Sequence, residues 1–115
     1  MELSFATGIS SGGYMTSRMA VSYPGRFRAL AVASGSYATC LGPLCNIPSK
    51  LPSDHPPTLL LHGGRDSTVS ISTARDYEAK LMSNGIESRF VEDPAAGHQW
   101  LSTAPDDIAQ WFLAH

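Results

Sequence analysis

The chain has 115 residues, of which 43% are hydrophobic and 16% are charged, and its formal net charge is −2. This length allows one domain over residues 1–115. The weak negative charge, without a basic cluster, argues against nucleic-acid and membrane-surface binding. No apolar run reaches membrane-spanning length, and no His or Cys residues stand at zinc-ligand spacing, so we expect neither a metal nor another cofactor.

The chain opens with a strand–turn–helix pattern. An apolar, β-compatible run over residues 3–7 leads into Gly8-Ile9-Ser10-Ser11-Gly12, and a helical pattern follows until Pro24-Gly25. In this context a Gly-x-Ser-x-Gly motif presents its serine at the tip of a sharp turn, where only small flanking residues fit. The pattern therefore predicts Ser10 as a nucleophile, flanked by two sterically required glycines, Gly8 and Gly12.

The helix after this turn contributes two further expectations. Its N-terminus carries partial positive charge, so the backbone N–H of Ser11 is a candidate oxyanion donor. Its apolar residues are expected on the buried side, and they are Tyr14, Met15, Met19 and Val21.

Strand and helix patterns alternate through the rest of the chain. Strands are predicted over residues 27–34, 58–62 and 88–92, and residues 36–57 form an irregular, proline-rich loop. Ser70 or Ser72 begins the next helix, and Thr103 with Asp106 reads as a capping box for the last one. This alternation predicts an α/β fold, with a small parallel sheet of about four strands and flanking helices.

Within the loop, Cys40 and Cys45 flank four residues. A disulfide across this short turn and a pair of reduced thiols both fit the spacing.

Three candidate catalytic residues follow the carboxyl ends of predicted strands, where active sites of such sheets lie. Ser10 follows the first strand, Asp66 the third and His98 the fourth. A neutral imidazole can take the serine proton, and a carboxylate can fix the imidazole tautomer. Asp93 is the rival acid, and a turn-capping role through Asx-type bonds is the alternative for Asp66.

Other polar and aromatic residues have weaker patterns. His62 lies within a strand, so we expect a satisfied buried histidine rather than a catalytic one. Tyr37, in the long loop, and Trp100, two residues after His98, are candidate substrate-binding residues.

Five segments together carry a family resemblance: residues 8–13, 23–29, 34–36, 61–69 and 97–100. They resemble the secreted α/β-hydrolases of the polyhydroxybutyrate-depolymerase and feruloyl-esterase type. The resemblance implies a Ser10–Asp66–His98 triad with Ser11 as the first oxyanion donor. It also implies a minimal or truncated fold, because the sequence starts at the nucleophile strand and lacks the preceding half. The loop that usually provides the second oxyanion donor belongs to that half; Ser11 itself and the Ser36-Tyr37 loop are candidate substitutes.

These features predict a serine esterase that hydrolyses small, short-chain carboxylic esters through an acyl-enzyme. One alternative is a serine peptidase, because residues 8–14 are also similar to prolyl-oligopeptidase-type enzymes. The other alternative is an inactive fragment or a partner-dependent subunit of a larger hydrolase.

The nucleophile strand also suggests how the chain associates. Residues 3–7 contain no charge and no proline, so an unpaired edge there would favour pairing with a second copy. We expect a homodimer or a higher homo-oligomer. Residues 1–3 do not read as a signal peptide, so the chain as it stands is expected in the cytoplasm, although enzymes of the resembling type are often secreted.

Overall fold

The computed structural model describes residues 4–41 and 44–115. Its elements, in chain order, are β1 (Ser4–Ile9), α1 (Ser11–Ser22), β2 (Phe27–Ala33), β3 (Cys40–Leu41), β4 (Leu44–Cys45), β5 (Thr58–Gly63), α2 (Ile71–Ser83), β6 (Ser88–Asp93) and α3 (Ala104–Leu113). The predicted strand start at Leu3 lies outside the described residues. So do all of residues 1–3, which were not expected to form a signal peptide.

Four strands form the main sheet, in the order β1-β2-β5-β6, and all of their pairings are parallel. This arrangement confirms the predicted small parallel α/β sheet. The two central strands are the most apolar, and both are buried along nearly their whole length. Such strands are expected where helices cover both faces of a sheet.

Side chains that alternate along the central strands enter two hydrophobic layers. One layer contains Ala31, Leu59 and Leu61 and packs against Trp111 of α3. The other layer contains Leu60 and packs against α2, whose buried members include Tyr77 and Leu81. The sheet is therefore held from both faces, and its carboxyl ends are free to carry loops.

The predicted buried side of α1 is wrong for its two methionines, whereas Val21 is half-buried and packs against the core. The buried residues of α1 are small, namely Gly13, Thr16, Ser17 and Ala20, whereas Met15 is 56% exposed and Met19 is 37% exposed. A Cβ at Gly13 would lie 2.9 Å from the carbonyl oxygen of Ala33, so the helix approaches the sheet too closely for large side chains. Met15 and Met19 of α1 consequently face outward.

The predicted irregular loop contains a short antiparallel hairpin, in which β3 pairs with β4. Cys40 lies opposite Cys45 in this pairing, and the two form a disulfide bond. The disulfide alternative is therefore the one that the structure supports. The Gly42-Pro43 pair, expected to break regular structure, lies outside the described residues.

Two helix starts were open to prediction. Ser70 caps α2, since its side chain accepts a hydrogen bond from the Ser72 amide. The capping box at α3 is wrong, because Thr103 makes no side-chain cap bond among the described residues. Pro105 stands in the first turn of that helix instead, where its fixed φ favours helix initiation.

In the described part of the chain, no helix combines the length and the apolar character that a membrane crossing requires.

Candidate active site

Ser10 occupies the turn between β1 and α1. Its φ is 58° and its ψ is −120°, in the left-handed half of backbone space that a serine adopts rarely. A Cβ at Gly8 would overlap the carbonyl oxygen of Gly12, so the turn requires glycine at position 8. The same requirement predicted for Gly12 is wrong, because a Cβ there meets open space among the described residues. The tight approach on the helix side is made by Gly13 instead.

His98 brings the serine and the acid together. Its Nε2 atom lies 2.8 Å from the Ser10 Oγ, and its Nδ1 atom lies 2.8 Å from Oδ2 of Asp66. A carboxylate only accepts, so Nδ1 carries the proton and Nε2 presents its lone pair to the serine hydroxyl. This is the tautomer that can accept a proton from Ser10.

Asp66 makes both the turn contacts and the histidine contact that the sequence left open as alternatives. Its Oδ1 accepts hydrogen bonds from the amides of Thr68, at 2.9 Å, and Val69, at 2.8 Å, which is an Asx-type turn. Its Oδ2 accepts from His98, and its side chain is fully buried. Burial pushes the pKa of Asp66 upward, but the hydrogen bonds from His98, Val69 and Thr68 outweigh it and hold the pKa below its ordinary value. The carboxyl group is therefore kept ionised.

The loops that carry the acid and the base lie directly against each other. A Cβ at Gly63 would overlap the backbone of Ala96 and Gly97, and the Arg65 amide donates to the Ala96 carbonyl at 2.9 Å. The rival acid, Asp93, accepts a hydrogen bond from the Ala95 amide at 3.0 Å and so stabilises the same loop. Asp66, rather than Asp93, is the carboxylate that is hydrogen-bonded to His98.

Of the other sequence-predicted site residues, Ser11 and Trp100 lie where they could contact a ligand, whereas Tyr37 is buried. Ser11 begins α1, so its amide is one of the first-turn N–H groups that have no intrahelical partner. Trp100 is 45% exposed and lines a cleft of about 530 Å³. Tyr37 is only 4% exposed and packs edge-on against Tyr77, with ring centroids 5.3 Å apart. The structure thus places Tyr37 in the core, where the loop after β2 is held against α2 by this contact and by the hydrogen bond from the Ser36 hydroxyl to the Thr73 carbonyl oxygen.

The sequence analysis missed two contributors to the site. The amides of Thr68 and Val69 orient the acid, and the side chain of His62 approaches it from the strand. The Asx-type turn predicted as the alternative for Asp66 implies these two amide donors, and such a turn is compatible with a hydrogen bond to His98.

No family model matches the chain. It is 57% identical over 111 residues to a poly(3-hydroxyoctanoate) depolymerase of Pseudomonas fluorescens, in an alignment that covers 96% of this chain and 40% of that protein. Its structure is similar to that of esterase PE8, with a TM-score of 0.77 at 24% identity, over 96% of this chain and 49% of that one. It is also similar to MGS-M1, an α/β-hydrolase enzyme from a Medee basin deep-sea metagenome library, with a TM-score of 0.69 at 20% identity, over 96% and 50%. The chain thus spans 40% of the length of the curated relative.

Proposed function

We propose that this chain, which has the α/β-hydrolase fold, hydrolyses carboxylic esters with Ser10 as the nucleophile. The observation that carries the proposal is the continuous hydrogen-bonded path from Asp66 through His98 to Ser10, which ends at a serine in a positive-φ turn. The relative at 57% identity, a polyester depolymerase by name, supports the same class of bond.

The proposed reaction proceeds in two halves. Ser10 Oγ attacks the ester carbonyl while His98 Nε2 takes its proton, and Asp66 stabilises the imidazolium that forms. The Ser11 N–H donates to the developing oxyanion. His98 then protonates the departing alcohol, which leaves an acyl-enzyme on Ser10. Water, activated by His98, attacks this ester in turn and releases the acid.

The proposed substrates are small esters with short acyl chains. A second candidate class is esters of 3-hydroxyalkanoic acids with longer apolar chains, as in the polymer that the relative's name specifies. The cleft beside Trp100 favours this second class, because Leu101, Pro105 and Ile108 give it apolar walls. Ile9, the residue before Ser10, packs against the same hydrophobic cluster as Leu101. The apolar cluster that lines the cleft thus extends to the residue preceding Ser10.

Ester turnover by the purified chain tests the proposal. We expect hydrolysis of p-nitrophenyl acetate, butyrate and octanoate, and the relative rates separate the two substrate classes. Ser10→Ala should abolish turnover, whereas its matched neighbour Ser11→Ala should keep most of it, since Ser11 contributes only its backbone N–H. Turnover that persists in Ser10→Ala, or is lost only in Ser11→Ala, would contradict the proposal. Cleavage of an aminoacyl p-nitroanilide faster than of the esters would favour the peptidase alternative.

A further inference from the structure

His62 lies in β5, four residues before Asp66, and its side chain is fully buried. Its Nε2 atom lies 2.8 Å from the Val69 carbonyl oxygen and 3.3 Å from Oδ2 of Asp66. Its Nδ1 atom is buried and has no hydrogen-bond partner within residues 4–41 and 44–115. Three leucines precede His62 in the strand, Leu59, Leu60 and Leu61, so a polar side chain at this buried position is an exception that calls for a reason.

The contacts of His62 fix the position of its proton. A carbonyl oxygen can only accept, so Nε2 must carry the hydrogen, which it donates to the Val69 carbonyl oxygen. The Nε2–H is therefore a donor of His62 that is directed at the loop which holds Asp66.

The same contacts place His62 at the centre of the acid's hydrogen-bond network. Val69 is held at both ends, since its N–H donates to Oδ1 of Asp66 and its carbonyl oxygen accepts from His62. Oδ2 of Asp66 is approached from two directions, by Nδ1 of His98 and by Nε2 of His62. Oδ1 of the carboxylate is thereby tied to His62 through Val69, while Oδ2 is hydrogen-bonded to His98.

We propose that His62 is a positioning residue for the proposed esterase site, which orients the Asp66 carboxylate toward His98. The inference rests on the proposed function. His62 does not touch the serine or the substrate, and it acts through Asp66. Its contribution is the orientation of the acid, and therefore the fixed tautomer and ring plane of His98.

Two amide substitutions separate this role from simple packing. In His62→Gln the amide nitrogen extends about as far as Nε2 of histidine, so it still donates to the Val69 carbonyl beside Asp66. In His62→Asn the shorter amide ends near the place of Nδ1 and cannot reach this carbonyl. We expect kcat for p-nitrophenyl butyrate to fall about ten- to a hundredfold in the Asn variant with little change in KM, and to be largely retained in the Gln variant.

A second measurement reads the same role without turnover. The ¹⁵N NMR shifts of His98 report its tautomer, and we expect the Nδ1–H form to dominate in the wild type and in His62→Gln but not in His62→Asn. If the wild type does not hydrolyse esters, the proposed function fails, and the NMR comparison still decides the role of His62.

Three outcomes would overturn the positioning role. Equal kcat values and equal His98 shifts in the two variants would show that the reach of the amide does not matter. A folded Gln variant as impaired as the Asn variant would assign His62 to packing. If the Asn variant does not fold, the Gln variant decides alone, and a large loss of kcat or a changed His98 tautomer in it would refute the proposal.

Discussion

The two sides of the candidate site are built differently. The proposed acid and base, Asp66 and His98, lie in the loops that follow β5 and β6. β5 is buried along its whole length, and the two loops are in contact at Gly63. The proposed nucleophile, Ser10, follows β1, which pairs only with β2 among the described residues and is exposed along much of its length. The positions of Asp66 and His98 are therefore set by contacts between two loops, whereas the position of Ser10 depends on a turn at the edge of the described sheet.

The largest expected effect tests the interlocked side. Asp66→Asn should lower kcat/KM about ten thousandfold, because an amide in place of Oδ2 favours the wrong tautomer of His98. Asp93→Asn is the matched control from the neighbouring loop, and it should change kcat/KM little. A severe Asp93 variant beside a nearly normal Asp66 variant would reverse the assignment of the acid.

The second prediction tests the turn at the open edge. Gly8→Ala should destabilise the protein by about 2–3 kcal/mol or more, because its Cβ overlaps the Gly12 backbone. Gly12→Ala should be neutral or stabilise it by up to about 1 kcal/mol, because position 12 is helical and its surroundings are open. Urea unfolding of both variants measures the contrast. Equal losses of unfolding free energy in the two variants would mean that the turn around Ser10 does not require glycine at position 8.

These two contrasts also show what the sequence could predict. The alternation of strands and helices was enough to predict the parallel sheet, and the strand ends were enough to indicate Ser10, Asp66 and His98. The sequence pattern did not predict that Met15 and Met19 of α1 are exposed, because an apolar helix side ordinarily faces the core. The close approach between Gly13 and the Ala33 carbonyl decides the orientation of that helix, and such an approach is a tertiary property that no local pattern contains.

The loop after β2 was beyond prediction for a different reason. Its prolines and glycines indicated irregular structure, yet a cross-strand pairing at Cys40 and Cys45 forms a hairpin there. The spacing of the two cysteines permitted a disulfide without requiring one. The contacts of His62 with Asp66 were likewise hidden, because they depend on how the loop folds back over β5.

The third prediction concerns the open edge itself, and we propose that two copies pair through it. The β1 segment contains no charged residue, and exposed apolar side chains stand near it, namely Phe5, Met15, Met19 and Tyr23. The opposite edge, β6, contains the charged residues Arg89, Glu92 and Asp93, which oppose edge pairing. Leu3, part of the edge considered in the sequence analysis, lies outside the described residues.

Sedimentation at micromolar concentration tests this pairing. The wild type should run as a dimer, Thr7→Lys should shift it toward the monomer, and Arg89→Glu on the other edge should leave the dimer unchanged. A wild-type chain that is a monomer with full esterase activity would refute the pairing.

The smallest effect is a pH dependence on the interlocked side. The pKa of Asp66 is lowered in the folded chain from its ordinary value of 3.8. The stabilisation from its ionised form is therefore fully present above that value and is lost as the pH falls through the lower folded pKa. The difference in unfolding free energy between the wild type and Asp66→Asn should accordingly shrink in acid below pH 3.8. A constant difference across that range would mean that the hydrogen bonds to the carboxylate do not stabilise its charge.

The central claim is that this chain holds an activated serine at position 10. Labelling with a fluorophosphonate probe, followed by mass-spectrometric mapping of the modified peptide, tests it most directly. We expect one phosphonylated residue, Ser10, in the wild type, strongly reduced labelling in His98→Ala and none in Ser10→Ala. Modification at Ser11, or a folded wild-type chain that takes up no probe, would contradict the claim.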